Sequence, residues 1–584
     1  MTTAPNSDAA PVVGESAASE SAHSDLVARL IGEAFSGSNL GAKPTASVAP
    51  PAVAPASLPE APGIPSLPDL SGSDATSGVP PVHPSAQPSA PQLASPEKTP
   101  SGGHSPDSGD SYAYGEPRCN GSYRPEGNRP ETKTSNANST LGFSDAASLA
   151  WPDFYFLRGP AASGKSPAAC QLYPQNSPPI PKFDIDGVRR DFPALHQLVY
   201  GKPLIWLDNA ATTHKPQAVI DATSQFYRRD NSNIHRAAHA LAARSTELFE
   251  AGREKVRKFL GAADAKEIVF LRGTTEAINL VAQSYGRKNI GVGDEIIVSE
   301  LEHHANIVPW QLLAEQVGAA LRVIPINDRG ELILDEYVKL LGPRTKFVSV
   351  AHVSNSLGTI NPIEQVIALA HARGVPVLVD GAQSTPHLPV NVTALDADFY
   401  VFSGHKVFAP TGIGALYGKA ALLESMPPWQ GGGHMIKDVR FEKTIYQHAP
   451  EKFEAGTPDI AGVIGLGAAI DYLFKVGIPA IAAYEHALLE YATQALATIP
   501  GLRPIGTAVA KASVLSFVIP GMANENIARQ LDRQGIAVRA GHHCALPAIR
   551  HFGLETSVRP SLAFYNTREE VDELVRVLRS LKRG

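Results

Sequence analysis

Cysteine is scarce in this chain: 584 residues hold three, Cys119, Cys170 and Cys544. An odd number with no CxxC spacing gives neither a disulfide framework nor a finger-type metal site, so no metal is expected. Also missing are any block of Lys and Arg and any apolar run long enough to span a bilayer. With a formal charge of only −6, neither nucleic acid nor a membrane is expected as a partner. The first 35 residues lack a hydrophobic signal core and carry Asp8, Glu15, Glu20, Asp25 and Glu33 against one Arg29. That pattern argues against a secretory or organellar address and leaves a bacterial cytoplasm as the expected location.

Ile, Leu and Val are sparse over residues 1–180, which are rich in Pro, Ala, Ser and Gly. Such a segment cannot bury enough apolar surface to offset the entropy of ordering, and is expected to be disordered. Two islands interrupt it. Residues 25–35 (DLVARLIGEAF) place Leu26, Leu30 and Phe35 on one side of a short helix that Ser24 can cap. Residues 151–157 (WPDFYFL) form an aromatic cluster of the kind that anchors a chain to a partner. The Pro-rich stretch 43–100 reads as an extended spacer. Residues 159–166 (GPAASGKS) fit the phosphate-binding pattern GxxxxGK[ST], but Pro167 follows at once and no strand–loop–helix context surrounds it, so the match is accidental. The expected domains are a leader over 1–180, an N-terminal segment of a small domain over 181–205, a large domain over 206–470 and a small C-terminal domain over 471–584.

What is present begins with two buried runs. Residues 375–379 (VPVLV) end in Asp380, and residues 399–402 (FYVF) end in Ser403, Gly404, His405 and Lys406. Both read as strands of a parallel sheet with polar residues at their carboxyl ends, where α/β folds place ligands. An amine and a carboxylate on one rim suit pyridoxal phosphate, which needs an amine to bond its aldehyde carbon and an anion to keep its ring nitrogen protonated. Gln383, Ser403 and His405 are placed to bond the ring hydroxyl and the phosphate. Gly273, Thr274 and Thr275 open a helix after the strand at 267–271, and offer N–H groups, hydroxyls and a positive dipole end to that phosphate. Strands at 295–298, 321–324 and 347–350 alternate with helices at 308–316 and 364–373, which gives a mostly parallel sheet.

DGAQS (380–384) and SGHK (403–406), preceded by RGTTEAINL (272–280), EHHANIVPW (302–310) and HVSNSLG (352–358) and followed by RAGHHCA (539–545), resemble the cysteine desulfurases of the SufS type, or group II. The resemblance runs from about Phe183 to the C-terminus. It implies an α/β fold of pyridoxal-phosphate fold type I, with a mostly parallel large domain and a small C-terminal α+β domain behind a disordered extension. It implies a homodimer acting on L-cysteine. His303 would stack on the ring and shuttle protons, and Asn355 would bond the ring hydroxyl or the substrate. Thr457 would reach the phosphate across the dimer interface, and His235 and Arg236 would reach the neighbouring subunit's site. Asp208, Asn209 and Ala210 resemble the substrate-side turn.

By the same resemblance Cys544 accepts the substrate's sulfur as a persulfide and leaves alanine. A thiol needs cationic or hydrogen-bonding neighbours to ionise at neutral pH, and His542, His543 and Arg539 stand beside it in sequence. Arg559 is expected as the two-point clamp of the substrate carboxylate, with Arg539 a second contact and Pro560 a departure from the usual smaller residue. The sulfur would leave through an acceptor protein or a thiol reductant. The long leader ahead of a desulfurase resembles the cargo enzymes of family 2 encapsulin shells, which implies loading into a nanocompartment. Selenocysteine lyase or another β-elimination, and a non-catalytic scaffold whose leader binds a partner, are the competing readings.

Overall fold

Seven short apolar runs become the strands of one sheet: β1 (Ile268–Leu271), β2 (Glu295–Ser299), β3 (Ala320–Ile324), β4 (Thr345–Ala351), β5 (Val377–Asp380), β6 (Phe399–Ser403) and β7 (Gly414–Gly418). The computed structural model in which they are seen describes residues 183–235 and 239–581. The leader with its two islands, the GPAASGKS stretch, Cys119, Cys170 and Arg236 lie outside the described residues. Strand order is β1-β7-β6-β5-β4-β2-β3. Strands β2 to β6 run parallel to one another, whereas β7 is antiparallel to both β1 and β6.

The period of two along each strand sorts its side chains between two cores. Val348, Val350, Val377, Val379, Tyr400 and Phe402 enter one, while Phe347, Leu378, Phe399 and Val401 enter the other. Both faces are covered, which is why the strands read in sequence as unbroken apolar runs rather than alternating ones. Close approach matters at one point on the rim: a Cβ on Gly381 would lie 2.0 Å from the Tyr400 ring, so the residue after Asp380 has room for no side chain.

Helices α1 (Gln217–Gln225) and α2 (Ala240–Leu260) lie against a later helix, and α3 (Thr274–Val281) follows β1 directly. Gly261 ends α2 in the left-handed conformation at φ 67°, as expected of a C-cap glycine. The later helix, α4 (Ile460–Val476), packs on α1 and α2 and meets α5 (Ile478–Ala497) at a 74° bend beside Gly477. Among the described residues no single helix is long and apolar enough to cross a membrane.

A second, four-stranded antiparallel sheet is built from β8 (Arg503–Ile505), β9 (Ser516–Val518), β10 (Arg539–Gly541) and β11 (Ser557–Arg559), in the order β8-β9-β11-β10. Ile205–Trp206 pairs in parallel with Ile536–Ala537, so an early segment of the described chain is bound to its last third. Helix α6 (Arg568–Ser580) closes the fold, with Thr567 and Glu570 forming a reciprocal capping box at its start.

Candidate active site

Asp380 is the last residue of β5, and Lys406 ends the 3₁₀ turn that follows β6. Their strands are hydrogen-bonded neighbours. Both side chains line a cavity of about 180 Å³, together with Thr274, Thr275, His303, Asn355, Gln383, Ser403, His405, Arg539 and Arg559. Burial pulls the Lys406 ammonium down to about 8, against the opposing pull of Asp380. Burial also raises the Asp380 carboxyl, whose Oδ1 accepts the Ala382 N–H at 2.9 Å. His303 is driven down to about 3, first by burial and then by Lys406, so its imidazole is neutral. Its Nδ1 accepts the Ala305 N–H at 3.0 Å, which places the proton on Nε2.

Strand register brings the two arginines together. Arg539 and Arg559 are directly paired on β10 and β11, so both guanidinium groups leave one face of the small sheet. Arg559 is fully buried, with Nη2 donating to Asp208 Oδ1 at 2.9 Å and Nη1 to the Asn355 carbonyl at 2.9 Å. Its Nε has no partner, and neither does Asn355 Oδ1. Burial raises the Asp208 carboxyl and outweighs the adjacent Arg559.

Cys544 follows β10 in the chain and lies beside Arg539. Arg539 Nη2 lies 3.6 Å from its Sγ. The loop before it is held from the large sheet's side: Asn355 Nδ2 donates to the His543 carbonyl at 2.6 Å, and the His304 N–H donates to the Cys544 carbonyl at 2.6 Å. His543 and Cys544 both have left-handed backbones, at φ 54° and 56°. Non-glycine residues hold that conformation only where their surroundings impose it, and here these bonds do so.

Several expected contacts take a different form. Gln383 Nε2 is committed to the Ala210 carbonyl at 2.7 Å, which leaves only its oxygen side for a ligand. Ser403 Oγ accepts the Thr274 N–H at 2.9 Å and donates to Thr274 Oγ1 at 3.0 Å, so that N–H is spent within the protein. Asn209 turns away from the cavity and bonds Ser561, Asn566 and Tyr565. His235 and Thr457 are not with Lys406 in this chain. They line a separate cavity of about 870 Å³, where Asn233 Nδ2 donates to Thr457 Oγ1 at 3.3 Å.

Sequence reasoning missed the crowd on one carbonyl. The Thr213 N–H, the Thr212 and Thr213 hydroxyls and Lys215 Nζ all reach the His405 oxygen, at 3.1, 3.1, 3.2 and 3.3 Å. They fix the turn that carries Lys406. The only signal was the polar density of TTHK at 212–215.

The sequence profile of the family described as Aminotransferase class-V matches residues 205–574. The chain belongs to that family. Within it, the chain is 62% identical to a cysteine desulfurase of Synechococcus elongatus over 402 residues, 69% of this chain and 64% of that relative. The match thus spans just under two thirds of the relative's own length. A probable cysteine desulfurase of Vibrio cholerae is 52% identical over 393 residues, 67% of this chain and 97% of the relative. Among solved structures, the cysteine desulfurase CsdA of Escherichia coli, in its S-sulfonic acid form, aligns at TM-score 0.64 and 44% identity. That alignment covers 68% of this chain and 98% of that one.

The fold is that of the pyridoxal-phosphate enzymes of class V, and the cavity of this class-V chain fits their cofactor. A buried amine and a buried carboxylate share a rim, a neutral imidazole lines the same space, and buried Asn355 Oδ1 and Arg559 Nε are left without protein partners. Lys406, Asp380, His303 and the Thr274–Thr275 helix start are the residues that could hold the group.

Proposed function

We propose that this protein is a group II cysteine desulfurase that converts L-cysteine to L-alanine and leaves the sulfur as a persulfide on Cys544. The observation that carries the reading is the placement of Cys544 Sγ 3.6 Å from Arg539, a residue that lines one cavity with Lys406, Asp380 and Arg559. When bound, pyridoxal phosphate withdraws electrons from the substrate's α-carbon and labilises its C–S bond. Lys406 holds the cofactor and exchanges protons with the substrate, its lowered basicity suiting it to both tasks near neutral pH. Asp380 would serve the ring nitrogen and His303 the ring face, Thr274, Thr275, Ser403 and His405 would hold the phosphate, and Gln383 would offer its oxygen side to the ring hydroxyl; all seven line the one cavity.

Arg559 and Asn355 orient the substrate: the unpartnered Nε and Oδ1 are the donor and acceptor left for its carboxylate and amine. Cys544 attacks as thiolate, stabilised by Arg539. The substrate's Cβ–Sγ bond breaks, an S–S bond to Cys544 forms, and Cβ takes up a proton, so two thiols, the substrate's and that of Cys544, become one persulfide and the methyl group of alanine. A sulfur-acceptor protein or a thiol reductant then removes the outer sulfur.

The working unit in this reading is a homodimer, with His235 and Thr457 completing the neighbour's site. Support comes from their separate cavity and from the adjoining hairpin of Ile436–Val439 and Thr444–Tyr446, whose Val439, Phe441, Ile445 and Tyr446 are exposed apolar side chains. Residues 1–180 act as a loading tag for an encapsulin shell in the bacterial cytoplasm, supported by their Pro/Ala/Ser composition and their two apolar islands.

Two experiments test these assignments. Incubating holoenzyme with L-cysteine and no reductant should add the mass of one sulfur atom to the Cys544 peptide, and Cys544→Ala should form neither persulfide nor alanine at an appreciable rate. Full-rate turnover by that variant overturns the persulfide route and favours a β-elimination. Deleting residues 1–180 should leave turnover intact while abolishing co-purification with a co-expressed shell protein; retained co-purification refutes the tag.

A further inference from the structure

His304, His542 and Cys544 each present a metal-ligating atom, and these atoms all lie within 4.8 Å of one another. Two of the three come from one loop and the third from the turn after β2, 238 residues earlier. The fold, rather than any sequence spacing, makes the cluster. It is held together before any ion arrives. The His304 N–H bonds the Cys544 carbonyl, the Leu546 N–H bonds His304 Nε2 at 3.2 Å, and the Cys544 N–H bonds His542 Nδ1 at 3.0 Å. The two imidazole rings face each other at 5.5 Å and 28°. His542 is exposed and the other two are half-buried, so solvent ions have access.

We propose that this triad is a capture site for a soft or borderline divalent cation of the Zn²⁺ class, which on binding takes Cys544 out of service. Two neutral imidazoles and one thiolate are the donor set such ions favour, with a fourth position open to water. Binding is a ligand exchange with no redox change: Cys544 gives its proton to solvent and the ion gives up water. Each ring nitrogen that now accepts a backbone N–H marks a tautomer that the ion must displace, and the Arg539 guanidinium 3.6 Å from Sγ opposes a second cation. Both effects make the site exchangeable rather than structural. Coordination withdraws charge from Sγ and pins it to the two imidazoles, so the thiolate is a weaker nucleophile held out of reach of the substrate sulfur, and the consequence is reversible inhibition. That half rests on the desulfurase reading, whereas the binding half does not.

The test uses full-length holoenzyme. Titration with Co²⁺ should give the intense red-region bands of a tetrahedral thiolate complex at one equivalent per chain. Affinity should fall by at least about tenfold in His542→Ala and in His304→Gln, and the bands should vanish in Cys544→Ser. In parallel, Zn²⁺ should slow iodoacetamide alkylation of the Cys544 peptide, read by mass against those of Cys119 and Cys170, in the wild type but not in His542→Ala. Equal protection in His542→Ala and His304→Gln, or only the weak bands of octahedral cobalt, overturns the site. Protection with undiminished alanine formation from L-cysteine overturns the inhibition alone. Failure of the desulfurase reading shows separately, as a metal-free Cys544 that never gains sulfur.

Discussion

Lys406 shows how burial converts a residue type into a reagent. An exposed lysine keeps its proton to about pH 10.4, whereas Lys406 gives it up at about 8 because its ammonium is desolvated. Only the neutral amine can bond the cofactor's carbonyl carbon. Cofactor uptake by the cofactor-free protein should therefore accelerate with rising pH and level off above about 8. A rate still climbing toward pH 10 would show that burial does not set this amine. The linkage has the same origin: between about 8 and the unfolded value of about 10.4, the unfolded chain binds the extra proton, so Lys406 adds stability as pH rises through that window. Position was legible at this scale: Asp380 closes one apolar run, and Lys406 follows the next by a single turn, so both fall at strand ends. Their partners were not. Asp208 and Arg559 stand 351 positions apart, and only the fold reveals that Nη2 already has a carboxylate. Nor does sequence record that Gln383 and the Thr274 N–H are committed inside the protein.

Elements are fixed by a few buried polar joints as much as by apolar packing. Arg253 on α2 is 3% exposed and forms two bonds with Glu454, at 2.8 and 2.9 Å, while the Phe270 N–H of β1 donates to the same carboxylate at 2.7 Å. The guanidinium also lies 4.7 Å from the Phe270 ring centroid. This joint ties α2 and β1 to the segment that carries Thr457. Glu454→Ala removes the buried carboxylate and leaves Arg253 only Glu250 at 3.0 Å and the Ile268 carbonyl at 2.8 Å, so it should cost up to about 3 kcal/mol, measurable as a lower urea midpoint. A double replacement by Met and Leu should recover most of that loss, and no recovery would show that the pair contributes more than charge compensation. Strand existence was readable at this scale, because β4, β5 and β6 are Val- and Phe-rich runs. Strand direction was not: β7 is antiparallel, and its local sequence GALYG carries no mark of that. The sequence expectation assigned residues 181–205 to the small domain, but nothing local records the register that pairs Ile205–Trp206 with Ile536–Ala537.

At the scale of the whole molecule, the question is why His235 and Thr457 stand apart from Lys406 in a cavity of their own. If a second copy supplies them to the neighbour's site, every site needs Lys406 from one chain and Thr457 from the other. Lys406→Ala and Thr457→Asp should each be inactive alone, the second because a carboxylate would face the cofactor's phosphate. When the two variants are mixed and allowed to exchange subunits, half the dimers become hybrids. One site in each hybrid then draws Lys406 and Thr457 from the intact halves, and the other carries both defects. Activity should return to about one quarter of the wild-type value, as two-fold symmetry requires. A mixture that stays inactive while exchange is confirmed by differential tagging would mean that each chain completes its own site, and Thr457 would lose its assigned role.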